Sequence, residues 1–262
     1  MSEQPCLLQI GPDGIACLSL NRPKTHNALD EASVNLLVNY LHELEENPSV
    51  RVIVLKSIGN VFCAGVDLKW IASHDLRISA NSNSGVQKLA QLMRILHKHV
   101  KPTIAVVTGA TYGGGIGLVA CCDIAIASHD ANFCFSEVRL GLIPAIISPY
   151  IIRAIGERIA LRYFLTAEHF DAQEAHRIGL VHSVVTATEM DTYIKTITDA
   201  LMAGGPNALS RTKALVHKVS ALPLDDILIQ NTAEWITEVN TSSEANEGIS
   251  AFLQKRKATW AK

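Results

Sequence analysis

The segment IAVVTGATYGGGIGLVACCDIAIA, residues 104–127, places a run of glycines between a short apolar strand and an apolar helix. Residues 104–107 have the continuous apolar pattern of a strand that is covered on both faces, and residues 124–127 repeat it after the helix predicted at 118–122. Strand, glycine loop, helix and strand form the repeating unit of an α/β sheet. The segment therefore predicts an α/β fold with buried strands.

The sequence before the glycine run predicts more strands, and the sequence after residue 147 is mainly helical. Turn residues at 11–14 separate β-rich segments at 7–10 and 15–20, and a helix capped by Asp30 leads to a buried strand at 52–55. Together these patterns predict a core domain over residues 1–190 and a helical C-terminal region over residues 191–262. Helices are predicted at 85–99, 147–165, 171–177, 187–203, 206–221, 224–240 and 243–257, with one further β-like run at 180–185.

Composition excludes several classes of protein. The 262 residues are 48% hydrophobic, with a formal net charge of -2 that gives no electrostatic reason to expect nucleic-acid binding. No apolar run is long enough for a membrane span, and the first residues lack the pattern of a secretory signal, so we expect a soluble cytoplasmic protein. Six cysteines without CxxC spacing predict reduced structural thiols, and ten histidines without HExxH spacing predict no metal site.

Three segments carry candidate chemistry, and the first is the glycine run at 113–115. Glycine lets backbone amides approach a ligand closely, and amides at a helix N-terminus face developing negative charge. The run therefore predicts an oxyanion hole, although the same glycines are consistent with a tight strand-to-helix turn alone. Its spacing fits neither the dinucleotide-binding pattern GxGxxG nor a P-loop.

The second candidate segment is FCAGVDLK at residues 62–69. It leaves a strand and enters a short helix that Asp67 is placed to cap. The small residues offer a second set of free backbone amides. The alternative is an ordinary loop with a capping aspartate.

The third candidate segment, residues 135–144, holds Glu137 among apolar residues shortly after a strand. Partial burial would raise the pKa of this carboxyl group and suit it to proton transfer near neutral pH. The alternative is that Glu137 forms an ion pair with Arg139 or Arg153.

In this order and at these separations, the segments resemble the crotonase (enoyl-CoA hydratase/isomerase) family. That resemblance implies a spiral of ββα units with a helical C-terminal trimerisation region, assembled as a homotrimer or a dimer of trimers. It also implies an acyl-CoA substrate, with no separate cofactor because coenzyme A is part of the substrate. The matching stretches are 20–23 (LNRP), 27–29 (NAL), 63–68 (CAGVDL), 112–115 (YGGG), 122–124 (CDI), 133–144, 165–167 (LTA), 175–181 (AHRIGLV) and 247–252 (EGISAF).

The resemblance also implies the residues of the site. The amides of Val66 and Gly114 would form the oxyanion hole that polarises the thioester carbonyl, and Glu137 would be the acid/base group. Around the nucleotide, the implied contacts are Ala64 and Leu68 at the adenine, Lys24 and Lys69 at the phosphates, and Phe252 with Lys255 closing over it from the same or a neighbouring subunit. The other implied substrate positions are Ala28, Asp67, Tyr112, Gly113, Gly117 and Pro144.

The sequence departs from the family's pattern at one acid/base position. Typical hydratases of the family carry two glutamates, and here Gly117 occupies the first position while Glu137 occupies the second. Residues 120–123 and 136–150 resemble bacterial methylglutaconyl-CoA hydratases of leucine degradation. This favours an enoyl-CoA hydratase with one glutamate, and with space at Gly117 for the substrate's own carboxylate or for a differently held water.

Two other functions stay open at this point. One is a Δ3,Δ2-enoyl-CoA isomerase, in which Glu137 would move a proton between two carbons over the same oxyanion hole. The other is a non-catalytic protein that binds acyl-CoA or RNA. The negative net charge argues against RNA binding. The acyl group is not specified by the family motifs, and its pocket walls are expected from residues 71–100 and 138–150.

Overall fold

The computed structural model describes residues 4–72 and 85–261, which divide into two compact units. The first unit comprises Met1–His99 and Thr103–Tyr193, and the second comprises Val100–Pro102 and Ile194–Lys262. The first is a mixed α/β unit and the second is helical, which confirms the predicted fold class. The role of the helical region in trimerisation stays a prediction.

Two sheets form the first unit. The larger has the order β1-β2-β3-β5-β7-β10, in which β1 pairs antiparallel and the other strands are parallel. The smaller has the order β4-β6-β8-β9, parallel except for its last pair. In the described part of the chain the strands are β1 Cys6–Ile10, β2 Ile15–Leu20, β3 Val52–Ser57, β4 Val61–Cys63, β5 Thr103–Val107, β6 Ala110–Tyr112, β7 Ile124–Ser128, β8 Asn132–Cys134, β9 Phe170–Asp171 and β10 Ser183–Val185.

The helices of the first unit pack on the sheets, and those of the second follow one another along the chain. Within residues 4–72 and 85–261 no helix has the length and apolar character needed to cross a bilayer. Short 3-10 helices occupy Pro23–Thr25 and Glu137–Leu140. The described α-helices are α1 Glu31–Glu46, α2 Leu68–Ala72, α3 Gly85–Lys98, α4 Gly114–Cys121, α5 Ser148–Ile155, α6 Glu157–Thr166, α7 Ala172–Arg177, α8 Met190–Ala203, α9 Pro206–Val219, α10 Asp226–Asn240 and α11 Ser243–Leu253.

The structure differs from the sequence-based assignment in several places, and the last helix, predicted at 243–257, ends at Leu253. The helix predicted at 147–165 is two helices, because Gly156 has φ 80 and ends α5 where α6 begins. Helix α4 begins directly after the glycine loop at Gly114, four residues before the predicted start. The β-like run at 180–185 is a strand only at its end, Ser183–Val185. The connection expected at 75–84 lies outside the described residues.

Asn27 holds together the loop that follows β2. Its side-chain oxygen accepts a hydrogen bond from the Arg22 amide at 2.7 Å, and its side-chain nitrogen donates to the carbonyls of Val61 at 2.7 Å and Ile58 at 3.0 Å. The residue is 2% exposed and has φ 55, a left-handed conformation that asparagine tolerates better than most residues. This side chain therefore ties the loop to the strand that leads into residues 62–69.

Replacing Asn27 by alanine is expected to lower the free energy of unfolding by about 2 kcal/mol, because buried backbone groups lose their partners. Urea denaturation measures the change. The matched control is Asn21→Ala, which removes one hydrogen bond to the Gln4 carbonyl and should cost under about 1 kcal/mol. Equal losses in both variants would contradict the bridging role of Asn27.

Candidate active site

The glycine loop between β6 and α4 presents a free backbone amide. Gly113 has φ 45 and ψ -115, a conformation open essentially to glycine, and its amide donates to the Cys134 carbonyl at 3.1 Å. Gly114 is the first residue of α4, where a backbone N–H has no intrahelical acceptor. No acceptor for it occurs among the described residues. The Gly114 N–H is therefore available to a ligand.

A second free amide lies beside it, at Val66. Leu29 and Val66 form a parallel bridge, in which the Leu29 amide donates to the Gly65 carbonyl and the Asp67 amide donates to the Leu29 carbonyl, both at 2.8 Å. In this pattern the N–H of Val66 itself points away from Leu29. A Cβ placed on Gly114 would lie 3.8 Å from the Val66 nitrogen, so the two amides are neighbours. Two adjacent free N–H groups have the form of an oxyanion hole.

The carboxyl group of Glu137 lies over this glycine loop. A Cβ at Gly113 would be 2.9 Å from Glu137 Oε1, and Oε2 is buried without a hydrogen-bond partner among the described residues. Burial raises the pKa of Glu137, while a backbone hydrogen bond partly opposes the rise. In the described structure Glu137 has no ion pair with Arg139 or Arg153, so the ion-pair alternative is wrong. A carboxyl group with a raised pKa suits proton transfer.

Stability is expected to depend on pH through Glu137. Because burial raises its pKa above the ordinary 4.5, the folded protein binds this proton more tightly than the unfolded chain does. The resulting stabilisation is complete below about pH 4.5 and is lost as pH rises through the folded-state pKa. Glu137→Gln removes the titration, so the free energy of unfolding of this variant should rise relative to that of the wild type as pH rises above the ordinary pKa of 4.5. Urea denaturation across this range measures the difference, and a constant difference would contradict the raised pKa.

Two cavities meet at these groups. The first has a volume of about 410 Å³ and the second about 360 Å³. Ile71, Val86, Leu89 and residues 142–147 supply most of the described wall of the first cavity, which agrees with the walls expected at 71–100 and 138–150. The residues that line both cavities are Val66, Ile71, Gly114, Glu137 and Leu142.

The two cavities differ in character. Apart from Glu137, the described side chains of the first are apolar, including the predicted Pro144. The second also contains Ser136 and Arg139, and it includes the predicted Gly113, Ala64 and Leu68. The apolar wall residues were not predicted individually, because valine, leucine and isoleucine at those positions look like ordinary core residues. Those wall residues are Val86, Leu89, Ile143, Ile146 and Ile147.

Three predicted substrate residues have hydrogen-bond partners within the protein. The Asp67 carboxylate accepts from the Lys69 amide at 2.9 Å, as the predicted cap of α2, and also lies 3.4 Å from the Arg22 guanidinium. The Ala28 carbonyl accepts from Arg22 as well. Tyr112 donates its hydroxyl to Asn132 at 3.0 Å. None of the three lines either cavity in the described part of the chain, so their substrate contacts stay predictions.

The space expected at Gly117 is absent, and that expectation is wrong. A Cβ at Gly117 would lie 2.3 Å from Ile147 Cγ2 and 3.1 Å from Met93 Cε. Gly117 is buried and is not part of the described lining of either cavity. The side chains of Ile147 and Met93 fill the volume that was expected to hold a substrate carboxylate or a water.

Two of the predicted nucleotide contacts, Lys24 and Lys69, lie outside the described lining of both cavities. Lys24 and Lys69 are exposed, at the 3-10 helix Pro23–Thr25 and in α2 respectively. Phe252 and Lys255 belong to the second unit, where Phe252 is 83% exposed. Their contacts with coenzyme A stay predictions.

Comparison with known proteins decides the family. The model of the family enoyl-CoA hydratase/isomerase matches residues 11–262. This chain belongs to that family. Enzymes of the enoyl-CoA hydratase/isomerase family act on acyl-CoA substrates, which agrees with free amides and a carboxyl group between two cavities.

Relatives within the family include both hydratases and isomerases. The 2,3-dehydroadipyl-CoA hydratase of Escherichia coli K12 is 32% identical over 243 residues, covering 92% of this chain and 93% of the relative. The peroxisomal Delta(3,5)-Delta(2,4)-dienoyl-CoA isomerase of Arabidopsis thaliana is 31% identical over 259 residues, covering 94% and 92%. The crystal structure of an enoyl-CoA hydratase from Shewanella pealeana superposes with a TM-score of 0.92 at 38% identity, covering 98% and 96%.

Proposed function

We propose that this member of the family is an enoyl-CoA hydratase that adds water across the 2,3 double bond of an enoyl-CoA thioester. The observation that carries the proposal is the position of the Glu137 carboxyl group over Gly113, beside the free amides of Val66 and Gly114. A proton-transfer group and an oxyanion hole at one point are what addition to a conjugated thioester requires.

The reaction divides between these groups. Glu137 removes a proton from water as the water oxygen bonds to C3, and the double-bond electrons move into the thioester. The amides of Val66 and Gly114 stabilise the enolate oxygen that forms. Glu137 then returns its proton to C2, so one carboxyl group completes the addition of H and OH.

A Δ3,Δ2-enoyl-CoA isomerase is the second candidate, and the filled position at Gly117 favours it. Glu137 is the one acidic side chain in the described lining of the two cavities. An isomerase needs a single carboxyl group that removes a proton from C2 of the 3-enoyl thioester and delivers it to C4, which leaves the double bond between C2 and C3. Water is not consumed in that reaction, so labelled water separates it from hydration.

The acyl group is proposed to be apolar. In the described residues the first cavity offers no cation to a second carboxylate, and Arg139 lies in the other cavity. The sequence-based expectation of 3-methylglutaconyl-CoA and leucine degradation therefore gains no support from the cavity and is the less favoured substrate. We also propose that the protein is cytoplasmic and assembles as a homotrimer or a dimer of trimers. The exposed apolar side chains of Leu224 and Ile227 in the second unit support the assembly.

Product analysis in heavy-oxygen water tests the function. The wild type and Glu137→Gln are each incubated with crotonyl-CoA, a 3-enoyl-CoA and 3-methylglutaconyl-CoA. The products are identified by mass spectrometry. Label in the hydroxyl product of the wild type, absent from the variant, supports a hydratase that uses Glu137. Double-bond migration without label supports the isomerase, and binding without turnover supports a non-catalytic acyl-CoA binder.

A further inference from the structure

We propose that Ile147, seated in a notch that Gly117 provides, sets the length of the acyl chain that this enzyme accepts. The inference rests on the proposed function, because it requires an enoyl-CoA whose acyl tail enters the first cavity. It concerns two residues that take no part in proton transfer.

The acyl tail belongs in the first cavity because of the chemistry of the two walls. The thioester carbonyl must lie at the amides of Val66 and Gly114, which both cavities share. The second cavity carries the cation Arg139 and the hydroxyl of Ser136, which suit the polar arm of coenzyme A. An aliphatic tail gains most from the apolar surface of the first cavity.

Ile147 forms the buried wall of that cavity. Exposure falls across the lining, from 75% at Ile143 and 40% at Val86 to 4% at Leu89 and 3% at Ile147. A tail that extends inward from the shared amides meets the buried side, at Leu89 and Ile147. Of the buried side chains in the described wall, that of Ile147 packs against Gly117 of α4.

Gly117 fixes how far back Ile147 sits. A Cβ on Gly117 would lie 2.3 Å from Ile147 Cγ2 and 3.1 Å from both Ile147 Cβ and Met93 Cε. Two heavy atoms on its Cβ make the isoleucine side chain stiff, so rotation about χ1 gives it little means of escape. A methyl group at position 117 would thus push the Ile147 side chain toward the first cavity and make that cavity shorter.

Removing side-chain atoms at position 147 should have the opposite effect. Ile147→Ala opens the buried wall next to the Gly117 notch, and the cavity becomes deeper. Adding a methyl group in Gly117→Ala and removing atoms in Ile147→Ala change the same space in opposite directions. The double variant should therefore lie between the two single variants in its preference for chain length.

The experiment measures kcat/KM for 2-enoyl-CoA substrates with linear chains of four to ten carbons. We expect the ratio of the eight-carbon to the four-carbon value to rise about tenfold in Ile147→Ala and to fall about tenfold in Gly117→Ala, since one or two methylenes in an apolar pocket are worth about that much. Ile147→Val, a smaller change that folds more safely, should show a rise of about threefold. Ile152→Ala, an isoleucine of α5 outside the described cavity lining, should leave the ratio unchanged.

The outcomes separate this inference from the proposed function. If the wild type turns over no member of the series, the proposed function fails. A second outcome is an active wild type, with the eight-carbon to four-carbon ratio in Ile147→Ala, Ile147→Val and Gly117→Ala within twofold of the wild-type ratio. In that case only the role of Ile147 is overturned. Opposite shifts in the single variants, with an intermediate double variant, establish the pair as the determinant of chain length.

Discussion

Glu137→Gln is expected to lower kcat/KM for the enoyl-CoA substrate by about 10³-fold, with KM little changed. The variant keeps the shape of the side chain but cannot take or return a proton, and positioned acid/base groups contribute about 10²- to 10⁴-fold. Glu137 is the one acidic side chain in the described lining of the two cavities. Ile147 and Met93 fill the space at Gly117, so a water molecule held there cannot replace it. Steady-state kinetics of the purified variant measure the loss.

A matched carboxylate elsewhere on the molecule provides the control for this loss. Glu157 is an exposed residue in the first turn of α6, outside the described cavity linings, and Glu157→Gln should keep wild-type kinetics. The thermal stability of both variants shows whether either is misfolded. A Glu137→Gln enzyme that retains more than about a tenth of wild-type activity would contradict the role of Glu137 as the acid/base group.

The central strands β3, β5 and β7 of the larger sheet were predictable from the sequence because most of their residues are buried on both faces. Continuous runs such as 52–55 and 104–107 have no helical period and are bounded by turn residues. The smaller sheet was not predicted, because its strands are two or three residues long and show no period of their own. Pairing with neighbours that are distant in sequence decides those strands, and a local pattern carries no information about them.

The site was predictable where the backbone alone creates it. The glycine run and residues 62–69 were predicted to supply free amides, and the structure places Val66 and Gly114 side by side. What surrounds the glutamate was not predictable, since Gly117 is consistent both with open space and with a notch filled by another side chain. Only the fold brings Ile147, thirty positions later, onto that glycine.

Gly113→Ala is expected to reduce kcat/KM by about 10³-fold, because it disturbs the oxyanion hole and the acid/base group together. The added Cβ would lie 2.9 Å from Glu137 Oε1, so the carboxyl group must move. Alanine also resists φ 45 with ψ -115, so the loop must relax and the neighbouring Gly114 amide turns with it. Loss of one oxyanion-hole donor alone costs about 10²- to 10³-fold.

The control must show the same backbone strain without the contact, and Gly156 provides it. Gly156 has φ 80 and ψ 157 between α5 and α6, and a Cβ there would meet nothing within 4 Å. Both alanine variants should lose about 1–3 kcal/mol of unfolding free energy in urea, since both force alanine into a conformation that favours glycine. Only Gly113→Ala should lose activity, mainly in kcat. If Gly156→Ala lost as much activity as Gly113→Ala, strain would explain the effect and the contact with Glu137 would not.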